Sequence, residues 1–313
     1  MAPRRITVFG GSGFVGRYLV QCLARRGWII KVAVRRPDAA LFLKTYGDVG
    51  QITPVPASVL HEGSIKAAVA GADAVVNLVG ILYERGRQRF DEVHVAGARR
   101  VAEAALAAGA TRLVQMSALG ADPASPSDYA RSKAAGEEAA AAAFPGASIV
   151  RPSIVFGPED GFFNRFASMA RFSPVLPLIG GGKTRFQPVY VGDVAQAIAL
   201  MLDDPRTAGR TYTFGGPLVY TFRELMELIL EMTNRRRLLL PIPFWLASLQ
   251  ATFLELLPSP PLTRDQVRLL QRDNVVPAGA PGLAEFGITP KAVELIVPTY
   301  LGVHRRGGRL VRA

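Results

Sequence analysis

The chain has 313 residues, of which 49% are hydrophobic and 20% charged, so it has enough apolar material for one large α/β domain with an appendage or for two domains. Its 37 Lys and Arg residues outnumber 25 Asp and Glu residues, and the net charge of +12 favours an anionic partner. The arginines are scattered and no nucleic-acid-binding motif is present, so we expect no nucleic acid among the partners. The single cysteine excludes an internal disulfide, and three scattered histidines predict no metal site.

The first half of the chain alternates strand and helix patterns. Apolar residues at helical spacing follow runs rich in β-branched residues, which is typical of parallel strands joined by helices. We therefore predict an α/β fold with a Rossmann-type doubly wound parallel sheet. The predicted strands cover residues 5–10, 28–36, 73–80, 111–118 and 147–157, and the predicted helices cover 16–27, 90–109 and 127–144.

Beyond residue 157 the alternation is looser. We predict a dinucleotide-binding core over residues 1–157 and a smaller C-terminal α/β region over 158–274 that is interleaved with this core. In that region Asp193 and Thr221 are the expected N-caps of two helices. Four prolines between residues 277 and 298 predict an extended docking tail over 275–313.

The segment GGSGFVG supplies Gly10, Gly13 and Gly16 directly after the first strand and at the start of a helix. Glycines in this context let the backbone turn tightly and approach a pyrophosphate at the helix N-terminus. A loop rich in glycine for other reasons is the alternative. The strand–turn–helix context favours the dinucleotide site.

The end of the second predicted strand bears on the choice of cofactor. Many NAD-binding folds have an acidic residue there for the ribose hydroxyls, whereas this chain has Arg35 and Arg36. Two guanidinium groups suit a 2′-phosphate, and Arg17 could add a contact. This pattern favours NADPH over NADH, with ordinary solvated arginines as the alternative.

Several motifs resemble the short-chain dehydrogenase/reductase superfamily in its extended or atypical branch. They are the glycine motif, NLVG at 77–80, VQMSA with Ser117, YARSK with Tyr129 and Lys133, and RPSIVFGP at 151–158. Longer stretches, such as NLVGILYERGRQRFDEVHV and FGPEDGFFNRFASMAR, look like the NADPH-binding accessory subunits of respiratory complex I in their alphaproteobacterial form. That resemblance implies tight NADPH binding without a demonstrated reaction and docking on the peripheral arm of complex I.

The resemblance also assigns expected roles to individual residues. Ser117 would bond a reacting carbonyl, Tyr129 would donate a proton, and Lys133 would hold the ribose and lower the pKa of the tyrosine; in a subunit without turnover this catalytic set would be vestigial. Ser58 and His94 depart from the usual Asp and Asn, which puts an adenine contact and a lysine-ordering contact in doubt. The expected cofactor-binding residues are Gly10, Ser12, Gly13, Phe14, Val15, Gly16, Arg17, Arg35, Arg36, Leu78, Val79, Gly80, Tyr129, Lys133, Pro152 and Ile154.

Two functions remain open at this point. Only eleven residues separate Ser117 from Tyr129, and none is a large polar group suited to gripping a sugar nucleotide. We therefore expect a structural or regulatory NADPH-binding subunit, with an active NAD(P)-dependent reductase or epimerase as the alternative. A scaffold whose docking depends on NADPH occupancy is a third hypothesis. The segment GGGKTRF, with Lys183 and Arg185, could bind an anion or could be a glycine-rich surface loop.

The segment over residues 235–257 is unusual because an arginine triplet precedes an apolar run that contains Trp245, Leu249 and Phe253. It is too short and too interrupted by proline to span a membrane. An apolar helix beside cations suits docking on a membrane surface or a partner, and a core helix of the C-terminal region is the alternative. With a strand pattern starting at residue 5 and no room for a signal peptide, we expect a peripheral position on the cytoplasmic face of the bacterial inner membrane.

Overall fold

A computed structural model describes residues 4–305. They form two compact units, each assembled from separate stretches of chain. The first contains residues 4–151, 191–213 and 280–288, and the second contains 152–190, 214–279 and 289–305. The sequence analysis places region boundaries at residues 157 and 274. The two units do not divide there, because the chain returns twice to the first unit after residue 151.

The first unit has the predicted alternation of strands and helices. Its elements are β1 (Arg5–Phe9), α1 (Phe14–Arg25), β2 (Ile29–Val34), β3 (Ile52–Pro56), α2 (Glu62–Val69), β4 (Ala74–Asn77), α3 (Gly97–Ala107), β5 (Arg112–Met116), α4 (Asp128–Ala143), β6 (Ser148–Pro152), and, after a long excursion, α6 (Val191–Asp203) and β11 (Thr211–Phe214). A 3₁₀ helix covers Asp38–Tyr46, and a π-helical turn, Asp91–Ala96, leads into α3.

The strands form one seven-stranded sheet in the order β11-β6-β5-β4-β1-β2-β3. The pairs from β6 through to β3 are parallel. The strand order reverses at β1, so the carboxyl ends of β1 and β4 border a crevice of the kind in which doubly wound folds bind nucleotides. The predicted Rossmann-type sheet is confirmed.

Strand β3 is absent from the sequence prediction, although it completes one edge of the sheet. It contains Pro54 and Pro56, which cannot donate to a strand ladder and therefore obscure the strand pattern. Among the described residues β3 lies at the sheet edge and pairs with β2 alone, so these prolines are tolerated. The edge matters for function because the residues that follow β3 border the crevice.

The second unit combines short strand pairs with helices around two apolar clusters. Its elements are β7 (Val155–Phe156), α5 (Phe163–Phe172), β8 (Val175–Ile179), β9 (Arg185–Phe186), β10 (Val189–Tyr190), β12 (Tyr220–Thr221), α7 (Phe222–Met232), β13 (Leu238–Ile242), α8 (Phe244–Leu254), α9 (Arg264–Leu269) and α10 (Val293–Leu301). The larger cluster joins α5, α7 and α10 through buried side chains such as Phe163, Leu225 and Val297.

Two helix N-cap predictions had different outcomes. Thr221 caps α7 as expected, in a capping box whose other half is Glu224. Asp193 is not a cap, because α6 begins at Val191 and the fully buried Asp193 lies in its first turn.

The expected extended tail is only partly extended. Helix α10 occupies Val293–Leu301, because Val293, Val297 and Leu301 recur at helical spacing and all three are buried. Residues 306–313 of the predicted tail lie outside the described residues.

Candidate cofactor-binding site

A cavity of about 330 Å³ lies in the first unit where β1, β2, β3 and β4 end. Seven of the residues expected from the sequence line it: Gly10, Ser12, Gly13, Arg35, Leu78, Val79 and Gly80. The remaining lining residues are Phe9, Ala33, Val34, Ala57, Ser58, Val59, Leu60, Ile81, Gln88 and Val93. The sequence signal for the second group is weak, since most of these residues are apolar and several follow the unrecognised strand β3.

The glycine loop is built for close backbone approach. Gly10 has φ +74°, and its carbonyl accepts the Gly13 N–H at 2.9 Å. A Cβ at Gly16 would lie 2.4 Å from the Gly10 carbonyl oxygen, so only glycine lets α1 start directly against this turn. The first turn of α1 contains no acidic residue, which leaves its positive end suited to a diphosphate.

The charge at the cavity is entirely positive. Arg35 lines it and is exposed, with Arg36 exposed beside it, and neither forms an ion pair with any residue between 4 and 305. Within the same described part of the chain, no carboxylate lines the cavity. Arg17, by contrast, lies in the first turn of α1 and outside the cavity lining, with its guanidinium 5.2 Å from the Phe42 ring centroid.

The segment after β3 forms an apolar wall, with Ala57, Val59 and Leu60 at the cavity. Ser58, where the resemblance leads us to expect Asp, uses its Oγ to accept the Leu60 N–H at 3.3 Å. Its own N–H donates to Ser64 Oγ at 3.1 Å. Ser58 therefore shapes its own loop, and a base placed here would meet mostly apolar side chains.

The tyrosine and lysine of the YARSK motif lie in the first turns of α4, which Ser127 caps by accepting the Ala130 N–H. Lys133 is 6% exposed, and its Nζ donates to the Met116 carbonyl oxygen at 2.9 Å. Burial lowers the pKa of Lys133 to about 8, against the opposing charge of Glu137. Burial raises the pKa of Tyr129 to about 12, so the phenol holds its proton more tightly than a free tyrosine.

Ser117 follows β5 and is 5% exposed. Its Oγ is buried and has no hydrogen-bond partner among the described residues. A buried hydroxyl without a partner costs free energy unless a ligand completes it. Ser117, Tyr129 and Lys133 lie near the ends of β5 and α4 but not in the cavity lining.

A buried amide pair braces the floor of the cavity. Asn77 Oδ1 accepts the Val79 N–H at 3.1 Å, and Asn77 Nδ2 donates to Gln115 Oε1 at 2.9 Å. Gln115 Nε2 then donates to the Met116 carbonyl, the same oxygen that accepts from Lys133. These bonds fix the segment that carries Leu78, Val79 and Gly80 relative to Lys133.

The remaining predicted cofactor residues are not among the residues that line the cavity. Phe14, Val15 and Gly16 form the first turn of α1 and do not line the cavity. Pro152 ends β6, and Ile154 packs against the larger apolar cluster of the second unit. Their predicted contacts with the cofactor stay predictions.

Comparison with known proteins accounts for this geometry. The family model for the NAD dependent epimerase/dehydratase family matches residues 6–215. The chain belongs to this family. Membership supports nicotinamide-dinucleotide binding, and the predicted likeness to the short-chain dehydrogenase/reductase superfamily is confirmed. In this NAD dependent epimerase/dehydratase member, the glycine loop and the ends of the strands line the cavity.

The proteins that are similar to this chain have different names and activities. It is 39% identical to the mitochondrial NADH dehydrogenase (ubiquinone) 1 alpha subcomplex subunit 9 of Arabidopsis thaliana, over 96% of this chain and 78% of that protein. It is 34% identical to the ceramide reductase of Caulobacter vibrioides, over 66% of this chain and 67% of that protein. The UDP-glucose 4-epimerase of Thermus thermophilus, solved in complex with NAD, shares the fold with a TM-score of 0.69 at 21% identity, over 95% of this chain and 98% of that one.

Proposed function

We propose that the chain is an NADPH-binding accessory subunit of respiratory complex I, the NADH:ubiquinone oxidoreductase, with a structural or regulatory role. The observation that carries the proposal is the 39% identity to the Arabidopsis subunit, because it extends over 96% of the chain and so through both compact units. The likeness to the ceramide reductase covers 66% of the chain.

NADPH is the proposed form of the cofactor. Its 2′-phosphate carries charge that Arg35 and Arg36 can bind, and a carboxylate able to bind the ribose diol of NADH is missing from the described cavity lining. When bound, the nicotinamide supplies hydride chemistry. In this chain the glycine loop would hold the diphosphate, and Lys133 would hold the ribose.

The electrostatics of the tyrosine support a role without turnover. A general acid works best when its pKa lies near the operating pH, whereas burial raises the pKa of Tyr129 to about 12. The Lys133 ammonium donates to the Met116 carbonyl oxygen, which commits one of its protons to the backbone. Lys133 still has a sufficient role in cofactor binding.

We further propose that the subunit docks on the peripheral arm of complex I near the membrane, on the cytoplasmic face of a bacterial inner membrane. Between residues 4 and 305 no helix is long and apolar enough to cross a bilayer. Helix α8 instead exposes Trp245, Leu249 and Phe253, while Ala247 and Ala251 on its other face are buried. Such a face supports attachment to a surface.

An active reductase is the second candidate, favoured by the unpartnered Ser117 hydroxyl and by the ceramide reductase among the relatives. Ser117 would bond a carbonyl oxygen, and Tyr129 would donate the proton to it. This function requires that Tyr129→Phe abolish carbonyl-dependent NADPH oxidation while NADPH stays bound.

Purification of the tagged full chain from its native membranes tests the proposed function. Complex I subunits and NADPH, the latter identified after release by denaturation, are the expected companions. A chain recovered only as free protein, without complex I subunits, would refute the assignment.

A further inference from the structure

His94 lies on the π-helical turn Asp91–Ala96 that precedes α3. Turns of this kind are rare and are frequent at functional sites. The imidazole is 2% exposed, and burial together with the nearby Lys133 charge lowers its pKa to about 3. The ring is therefore neutral at physiological pH, with one nitrogen that donates and one that accepts.

Two hydrogen bonds use both ring nitrogens. Nε2 accepts the backbone N–H of Ile81 at 3.0 Å, which assigns the ring proton to Nδ1. Nδ1 lies 2.9 Å from Ser132 Oγ and donates to it, since Ser132 uses its own proton to bond the Tyr129 carbonyl oxygen at 2.8 Å. A directed chain of bonds thus runs from the Ile81 backbone through His94 and Ser132 to the backbone of Tyr129.

The surroundings leave the ring little freedom. Phe90 stacks on it with ring centroids 5.4 Å apart, and Tyr129 meets it edge-on at 5.5 Å. Helix α4 approaches so closely that a Cβ at Gly136 would lie 2.2 Å from the His94 carbonyl oxygen. If the Ile81 backbone moves, this closely packed imidazole must move with it or one of its two hydrogen bonds must break.

We propose that His94 is a positioning residue that transmits occupancy of the dinucleotide cavity to the Tyr129 turn of α4. One end of its bond chain is Ile81, which lines the cavity, and the other is the backbone of Tyr129. The inference rests on the cofactor-binding part of the proposed function. It gives NADPH binding a route to the surface of α4 that needs no reaction of the nicotinamide.

Hydrogen exchange of the full chain with and without saturating NADPH tests this route, read over the segments 78–81 and 129–133. Substitution by glutamine or asparagine can retain one of the two hydrogen bonds of His94 and remove the other. His94→Gln can place an amide oxygen near the Nε2 position and so serve Ile81, whereas His94→Asn can place an amide N–H near the Nδ1 position and so serve Ser132. Ser132→Ala removes the relay and leaves the Ile81 bond intact.

In the wild type we expect NADPH to slow exchange in both segments. In His94→Gln and Ser132→Ala, protection should persist at 78–81 and fall at 129–133 to the part that direct contact of Lys133 with the ribose supplies. His94→Asn should bind NADPH about tenfold more weakly than His94→Gln, because the partly buried Ile81 N–H loses its acceptor. A purely structural histidine would instead change exchange in the free protein and leave the NADPH-induced difference at 129–133 unaltered.

The outcomes separate this inference from the proposed function. Wild-type protection confined to 78–81, or protection at 129–133 that is as large in both His94→Gln and Ser132→Ala as in the wild type, overturns the role of His94 and leaves NADPH binding established. No protection of 78–81 in the wild type overturns both the inference and the NADPH assignment. Membership in complex I is read separately, from the proteins that co-purify.

Discussion

The proposed preference for NADPH over NADH depends strongly on Arg35. Among the described residues that line the cavity, Arg35 alone is charged. Its guanidinium has no ion-pair partner among residues 4–305. A free guanidinium is pre-organised for a phosphate and forms charge-assisted bonds that are stronger than neutral ones. Recognition of the 2′-phosphate should therefore depend on this side chain.

Arg35→Ala should weaken NADPH binding about ten- to hundredfold, as expected for lost bonds to a charged group, and should change NADH binding by less than about threefold. Titration calorimetry with both dinucleotides measures the two constants. Arg25→Ala, at the exposed far end of α1, is the control because it changes the net charge equally. Equal losses for NADPH and NADH would assign Arg35 a role unrelated to the 2′-phosphate.

His94 also predicts a pH dependence of stability. Its native pKa of about 3 lies below the usual 6.5, so the unfolded chain binds a proton that the native chain does not. The contribution of neutral His94 to the free energy of unfolding is fully present above pH 6.5. It is lost as the pH falls toward 3, at a rate of at most about 1.4 kcal/mol per pH unit.

Urea unfolding at several pH values measures this effect. The buried Trp28 reports on the first unit once Trp245→Phe removes the other tryptophan. The free energy of unfolding of His94→Gln should fall less steeply with acid than that of the parent chain. Parallel curves between about pH 6.5 and 4 would show that His94 is protonated in the native state as readily as in the unfolded one.

Helix α4 packs against the π-helical turn at Gly136, where the backbone leaves no room for a side chain. Gly136→Ala would press a methyl group against the His94 carbonyl, whereas a Cβ at Gly63 in α2 meets no atom within 4 Å. We expect Gly136→Ala to destabilise the chain by about 1–3 kcal/mol. Gly63→Ala, the control, should stabilise it by about 0.5–1 kcal/mol, because alanine loses less entropy in a helix. Equal thermal shifts for the two variants would contradict the packing described.

Helix α8 has one face in the protein and one exposed apolar face. Trp245 and Phe253 are 69% and 66% exposed, while two of the three preceding arginines bond backbone carbonyls: Arg235 to His304 and Arg237 to Ala170. Trp245→Glu/Phe253→Glu should lower binding to phosphatidylcholine–phosphatidylglycerol vesicles at least about tenfold, since burying either side chain is worth about 1.5–3 kcal/mol. Stability should change little, as the two side chains are exposed.

Flotation of the full chain with vesicles measures this binding. Leu106→Glu is the control, because Leu106 is an apolar side chain 52% exposed on α3 in the other unit. Loss of flotation in both variants, or in neither, would remove α8 from the proposed docking surface.

How far the sequence predicts these elements depends on how local their causes are. The glycine loop, α1 and α4 follow from turn residues and helical periodicity, and the structure confirms them. Strand β3 is hidden by Pro54 and Pro56, which only its edge position permits. The surroundings of His94, on which its proposed role rests, cannot be foreseen from the sequence, because they depend on a π-helical turn and on the approach of Gly136 from a distant helix.

The whole molecule pairs a nucleotide-binding unit with a second unit that carries an exposed apolar helix. A ligand that binds only the folded chain stabilises it by RT ln(1 + [L]/Kd), so tightly held NADPH would explain why the proposed accessory subunit keeps a cofactor site even if it catalyses no reaction. The identity to the Arabidopsis subunit extends through both units and supports the proposed role as an accessory subunit. A shared cofactor site alone would not require the two proteins to be similar in the second unit.

Complementation of cells that lack the chain tests the central claim most directly, with the amount of assembled complex I on native gels as the readout. Wild type and Tyr129→Phe should restore assembly equally, because the proposed role requires bound NADPH but no proton transfer from the phenol. Arg35→Glu/Arg36→Glu should fail, since two carboxylates would repel the 2′-phosphate. Restoration by the charge-reversed pair together with failure of Tyr129→Phe would contradict the account and indicate an active reductase.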